Sequence, residues 1–275
     1  MGLNDQIGIM QGRLSPQLGN KIQAFPLDNW REEFWTAKEI GYNSIEWIVE
    51  SPLELNPLLR FSGIEEINNC ITSTGVKVDY VCADIFMENP IFDKENLENN
   101  LEILTNIITF GNKIGAKCVE IPFVDNSSLK GNFKNKNVSL QIKEVIPIAN
   151  ELGMQISLET DLQPKEFRDF ILNFESDVIR ANYDIGNSAS LGFDTREEIR
   201  MIGEFIANVH IKDRKFMGST VPLGSGNANI PLALTLLSEI DYKGGITMQA
   251  AREVNNLDNA KRQLAQVKKY LAQIE

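Results

Sequence analysis

At 275 residues, 43% of them hydrophobic, the chain is long enough and apolar enough for one large α/β domain with a substantial core. Its 38 acidic against 27 basic side chains give a net charge of −11, which argues against a nucleic-acid backbone or an anionic membrane as partner and leaves small ligands. No apolar run approaches the ~20 residues of a bilayer span, so a cytoplasmic protein without a membrane partner is expected.

Short apolar runs alternate with longer amphipathic segments throughout, the pattern of repeated βα units around a parallel sheet. Eight units can be counted. Strands are predicted at 7–11, 44–49, 77–83, 118–123, 154–159, 178–184, 207–211 and 245–249, and helices at 30–40, 63–74, 97–114, 140–152, 164–174, 195–205, 231–240 and 257–274. Glycines at 41, 75, 115 and 153 close four of these helices, and Asp28, Ser62 and Asp194 or Thr195 stand where caps belong. The segment 126–137, rich in Asn, Lys, Ser and Gly, reads as a mobile loop after the fourth strand. Cys70, Cys82 and Cys118 form no CxxC pair and read as buried reduced thiols. Eight units at this length, with no glycine-rich phosphate fingerprint after the first strand, predict a single (β/α)₈ TIM barrel over residues 1–275.

Barrel enzymes place their chemistry at the C-terminal ends of strands. Here those ends carry Glu159, Asp184, His210 and Gln249 on the fifth to eighth strands, with Glu46 and Asp84 on the second and third. His210 is the single histidine of the chain. Taken alone, a carboxylate or imidazole at a strand end is more often a cap, an ion pair or a loop anchor than a ligand. Their coincidence on successive strands points to a shared divalent metal, since two carboxylates, an imidazole and an amide oxygen suit Mn²⁺ or Mg²⁺, with Zn²⁺ or Fe²⁺ also possible.

Lys212 and Arg252, just past the seventh and eighth strands, either bind a phosphate or carboxylate and stabilise developing negative charge, or form local ion pairs, Arg252 with Glu253 and Lys212 with Asp213. The backbone of Gly224-Ser225-Gly226 either meets an anionic ligand or makes a plain turn. Trp47 and Phe86 are candidates for an apolar wall at the mouth, Trp47 first; packing between barrel and helices is the commoner fate of such rings.

These residues resemble the xylose isomerase-like TIM barrels, a superfamily that includes sugar-phosphate isomerases and epimerases, ketose 3-epimerases, inosose dehydratases and family 2 AP endonucleases. The resemblance spans essentially the whole chain. It is carried by Ile9-Met10-Gln11-Gly12-Arg13-Leu14, Ile45-Glu46-Trp47, Leu158-Glu159-Thr160, Tyr183-Asp184-Ile185-Gly186-Asn187, Val209-His210-Ile211-Lys212-Asp213 and Val221-Pro222-Leu223-Gly224-Ser225-Gly226.

The resemblance implies a metal held by Glu159, Asp184 and His210, with either Gln249, or Glu253 reaching back from four residues past the strand end, where the family has a second glutamate. It implies Glu159 as the base that removes a proton beside a carbonyl, with Lys212, Glu46 or Asp84 as a second acid. Glu46, Trp47, Asp84 and Arg252 become substrate-binding candidates. An amide is no general base, so a two-glutamate epimerisation through residue 249 is not expected. The implied activity is isomerisation or epimerisation of a small sugar or sugar phosphate. A lyase of the inosose-dehydratase type and a non-catalytic sugar-binding barrel are the alternatives. A three-metal AP endonuclease would need more histidines than one. Barrels of this group also often form homo-oligomers.

Overall fold

A computed structural model of the chain describes residues 7–19, 21–131, 136–253 and 255–274. Eight parallel strands close into a barrel: β1 (Ile7–Met10), β2 (Ser44–Ile48), β3 (Tyr80–Cys82), β4 (Cys118–Phe123), β5 (Gln155–Thr160), β6 (Ile179–Asp184), β7 (Ile206–Ile211) and, after a two-stranded antiparallel ribbon of β8 (Asp213–Arg214) and β9 (Thr220–Val221), β10 (Gly245–Met248). Each strand pairs with its chain neighbour, and β10 closes the ring on β1. This is a single (β/α)₈ TIM barrel, as the alternating pattern predicts.

The outer layer contains α1 (Trp30–Ile40), α2 (Phe61–Thr74), a short α3 (Ile85–Glu88), α4 (Leu97–Lys113), α5 (Lys136–Leu152), α6 (Pro164–Leu172), a short α7 (Ile185–Leu191), α8 (Thr195–Ile202), α9 (Ile230–Glu239) and α10 (Asn256–Leu271). The four helix-closing glycines have φ of 100°, 77°, 83° and 64°, the left-handed conformation that only glycine adopts without strain. Asp194 caps α8 by accepting from Glu197 N. The other two expected caps do not form. α1 starts after Asn29, and α2 starts at Phe61, so Ser62 lies inside its first turn. Part of the expected 126–137 loop, residues 132–135, lies outside the described residues, and α5 begins at Lys136 rather than Leu140. Among the described residues no helix is long and apolar enough to cross a membrane.

Successive side chains on a strand point to opposite faces. Ile45 and Trp47, Val119 and Ile121, Ile156 and Leu158, Val209 and Ile211 all join one apolar layer between barrel and helices. The alternate positions face the lumen. At the N-terminal end of the lumen, Gly245 lies so close to the Tyr80 ring that a Cβ would collide with it, and its N–H donates to the Tyr80 hydroxyl at 2.8 Å.

Above β2, buried Asn56 accepts from Trp47 Nε1 at 3.0 Å and Leu58 N at 3.1 Å and donates to Ile48 O at 2.8 Å, which fixes the loop leaving that strand. Asn56→Ala strands all three partners away from water. It should cost about 2–4 kcal/mol, seen in urea denaturation as a lower midpoint with an unchanged slope.

Candidate active site

A TIM-barrel lumen is ordinarily filled by branched apolar side chains. In this barrel the lumen faces of β2, β4, β5, β6 and β7 instead present Glu46, Glu120, Glu159, Asn182 with Asp184, and Asn208 with His210, all of them buried. The apolar lumen side chains Met10, Ile48 and Cys82 form a small separate cluster.

His210 sits at the centre of this polar interior. Its Nε2 lies 3.2 Å from both oxygens of Glu46 and 3.4 Å from Glu120 Oε2, and its Nδ1 lies 3.6 Å from Glu159 Oε2. Burial disfavours the imidazolium, but the charges of Glu46 and Glu120 and the hydrogen bonds of Glu159 and Glu46 outweigh it and raise the pKa well above its ordinary value. Asn208 Nδ2 secures Glu46 Oε2 at 2.8 Å. Asn182 Nδ2 donates to Glu159 Oε2 at 3.1 Å and stands 3.1 Å from His210 Nδ1, which accepts from it when the ring is neutral.

The three glutamates around the ring are shifted in different directions. Burial pushes Glu46 upward, but the charge and hydrogen bond of His210 hold it below its usual value. Glu159 is likewise penalised by burial and is held down to about 2 by hydrogen bonding to His210, the His210 charge and the Lys212 ammonium. Glu120 is pushed well above its ordinary value by burial, with His210 opposing and the Glu159 and Glu46 charges adding to the rise.

Toward the mouth, Asp184 uses both oxygens. Oδ1 caps α7 through Asn187 N at 2.8 Å, and Oδ2 lies 2.6 Å from Lys212 Nζ. From Lys212 a hydrogen-bonded arc continues across the mouth: Lys212 Nζ donates to Gln249 Oε1 at 2.8 Å, Gln249 Nε2 to Gln23 Oε1 at 2.9 Å, and Gln23 Nε2 to Asp84 Oδ2 at 3.0 Å. Asp84 is raised to about 6 by burial, against the hydrogen bond from Gln23. Asn187 Nδ2 donates to Glu159 Oε1, and Arg214 Nη1 holds the Asn187 carbonyl at 2.8 Å. Above lies a cavity of about 890 Å³ whose wall includes Arg13, Asp84, Glu120, Glu159, Lys212 and Gln249.

Glu159, Asp184 and His210 each offer a ligand atom within 4.8 Å of the others. Bonds of roughly 2.0–2.6 Å to one divalent ion span such separations, so this donor set fits a metal. Glu46, Glu120 and His210 form a second set of the same spacing, deeper in the lumen. The first set adjoins the cavity through Glu159.

A family model described as xylose isomerase-like TIM barrel matches residues 34–271. The chain belongs to that family. A relative from Escherichia coli strain K12, named for L-ribulose-5-phosphate 3-epimerase activity, is 20% identical over 90% of this chain and 88% of its own. Two solved structures share the fold at low identity. One, an L-ribulose 3-epimerase, has a TM-score of 0.76 at 16% identity and covers 100% of this chain and 96% of that one. The other, a xylose isomerase-like barrel from Mycobacterium smegmatis in complex with magnesium, has a TM-score of 0.74 at 18% identity and covers 100% and 99%.

Of the residues singled out in the sequence, Glu159, Lys212, Gln249 and Asp84 reach the cavity wall. Asp184 contacts Lys212 at that wall, and His210 and Glu46 lie deeper in the lumen. Trp47, expected at the mouth, is on the other face of β2. Adjacent strand residues cannot share a face, and with Glu46 inward Trp47 packs outward against Trp30 and Phe25, with ring centroids 5.4 and 5.3 Å away. Phe86 is buried in the same apolar layer.

Arg252 donates to the backbone carbonyls of Ile22, Ser15 and Gly12, so it ties down the loop after β1 rather than lining the cavity. Its neighbour Glu253 pairs with Arg262 instead. The N–H groups of Gly224 and Gly226 do meet an anion, the chain's own Asp213 Oδ2, at 2.9 and 2.8 Å. Sequence reasoning missed Glu120, Asn182, Asn187 and Gln23. Glu120 left a signal, a carboxylate in the middle of an apolar strand as at Glu46. Asn187 stood at the end of the motif Tyr183-Asp184-Ile185-Gly186-Asn187 without a role, and Asn182 and Gln23 left no signal, because their roles depend on partners on other elements.

The loop after β1 is also held by Glu33, which accepts from Gly12 N, Leu14 N and Ser15 Oγ at 2.9–3.0 Å. Burial outweighs these bonds and raises its pKa from 4.5 to about 7. A carboxyl with a higher pKa folded than unfolded contributes stability that is present below the unfolded value and lost as pH rises through the folded one. Glu33→Gln should therefore flatten the fall in stability between pH about 4.5 and about 7, by up to about 3 kcal/mol, measured by urea denaturation across that range.

Proposed function

We propose that the protein is a divalent-metal-dependent isomerase or epimerase of a small sugar or sugar phosphate. The observation that carries this reading is the meeting of Glu159, Asp184 and His210 just beneath a cavity large enough for such a substrate, which Glu159 lines. Similarity to proteins named as ribulose and ribulose-phosphate epimerases supports it. A divalent ion held by these three residues, magnesium or manganese before zinc, supplies polarisation of a substrate carbonyl and so acidifies the neighbouring C–H.

Glu159 is the base in this reading. Asn182 and Asn187 each hold one of its oxygens, which fixes the plane of the carboxylate. The contacts that keep it ionised also weaken it as a base, so it suits a substrate whose C–H is already acidified. Returned to the neighbouring carbon, with the hydroxyl proton passing to the former carbonyl oxygen, the proton completes an aldose–ketose isomerisation. Epimerisation needs a second group, and Asp84, raised to about 6, can hold or release a proton near neutrality. Lys212 brings an ammonium to the cavity wall, where negative charge develops on the substrate oxygen.

A second reading, a lyase of the inosose-dehydratase type, is favoured by one observation. Gln249 has both ends of its amide engaged, by Lys212 and Gln23, and offers no base on the eighth strand. Incubation with ketoses, their phosphates and inososes in D₂O with Mn²⁺ separates the readings. An isomeric product carrying solvent deuterium supports the isomerase or epimerase, and an unsaturated product supports the lyase. Ligand-induced stabilisation without product points to a sugar-binding barrel. Glu159→Gln should lower kcat by about 100- to 10,000-fold with the fold intact by circular dichroism; a variant as active as wild type would overturn the role of Glu159.

A further inference from the structure

The cation that the mouth carboxylate Asp184 already meets belongs to the chain itself. Lys212 Nζ bridges Asp184 Oδ2 at 2.6 Å and Gln249 Oε1 at 2.8 Å, two of the four groups that the strand ends offer to a metal. Two residues past His210 along the chain, Lys212 emerges at the same mouth, and its side chain is only 13% exposed.

Hydrogen-bond polarity explains why an amide stands at position 249. Asp84 is acceptor-only when ionised and Lys212 is donor-only. Between them, Gln23 must turn its NH₂ to Asp84 and its carbonyl to Gln249, and Gln249 must turn its NH₂ to Gln23 and its carbonyl to Lys212. Along the arc each nitrogen then faces an oxygen. A glutamate at 249 would set oxygen against oxygen at Gln23, and reversing Gln23 would move that clash to Asp84 whenever Asp84 is ionised.

We propose that the Lys212 ammonium is the resident cation on the Asp184–Gln249 side of the site, and that a divalent metal and Lys212 exclude one another there. Gln249 thus serves the lysine rather than the metal, which is left with Glu159, Asp184 and His210. When metal enters, Lys212 leaves Asp184 for the cavity whose wall it already forms. Two cations on one carboxylate oxygen repel each other, so the lysine weakens metal binding as long as it stays. The inference rests on the metal-dependent reading above, and its test separates the two.

Mn²⁺ binding is measured by titration calorimetry on wild type, Lys212→Met, Lys212→Arg and His210→Ala, each checked for folding by circular dichroism. Lys212→Met should bind Mn²⁺ at least about tenfold tighter than wild type, Lys212→Arg no tighter than wild type, and His210→Ala should lose binding. Because Lys212→Met leaves Asp184 without its partner and can fail to fold, wild-type protein is also subjected to reductive methylation with and without saturating Mn²⁺. Lys212 labelling, read by peptide mass spectrometry, should rise when Mn²⁺ is present.

Binding by Lys212→Met that is equal to or weaker than wild type, or Lys212 labelling that Mn²⁺ leaves unchanged, overturns the proposal. In those cases loss of binding in His210→Ala still upholds the metal site. No Mn²⁺ binding by any of the four proteins overturns both readings together.

Discussion

A histidine ring enclosed by carboxylates in the barrel lumen is the contact on which the rest of the site depends. Glu46 and Glu120 face His210 Nε2 and Glu159 faces Nδ1, all of them buried. Buried charges are tolerated only when partners and hydrogen bonds compensate them, and removing one partner leaves the others exposed to the full desolvation cost. The lumen meets that condition unequally: His210 holds Glu46 and Glu159 below their ordinary values, while burial beside two other carboxylates pushes Glu120 upward. Asn182 and Asn208 then fix where the two carboxylates point.

Outside this layer, order at the mouth comes from direction. The arc from Asp184 through Lys212, Gln249 and Gln23 to Asp84 has a carboxylate at each end and a single donor-only group within it, so each amide has one allowed orientation. The arc links the ends of β6, β7, β10 and β3 to the loop after β1. It places an ammonium near Glu159 and the Asp84 carboxyl, raised to about 6, farther round the mouth.

Several groups with a functional look serve structure instead. Arg252 and Glu33 lace the loop that delivers Gln23, one through carbonyls and the other through N–H groups. The glycine-rich turn after β9 closes on Asp213 rather than on a ligand. Buried backbone groups must find partners, and long loops over a barrel mouth recruit charged side chains for that purpose. A sequence motif alone does not distinguish an arginine that binds an anion from one that binds three carbonyls.

The sequence by itself determined the barrel, its eight units and the strand ends that carry Glu159, Asp184, His210 and Gln249, because hydrophobic period, helix-closing glycines and strand termini are local properties. It also contained Glu120 as a carboxylate in an apolar strand, though nothing local said whether it faced the lumen. Short α3 and α7 escaped it, since each is a single turn or two begun at a strand end, Asp84 and Asp184. Only the tertiary structure decided that Trp47 turns away from the mouth, that Arg252 anchors a loop, and that Lys212 lies between Asp184 and Gln249. Those outcomes depend on which face of a closed sheet each side chain takes and on partners up to 240 positions apart. Distances of that kind are set by closing the barrel and are not written in any single segment.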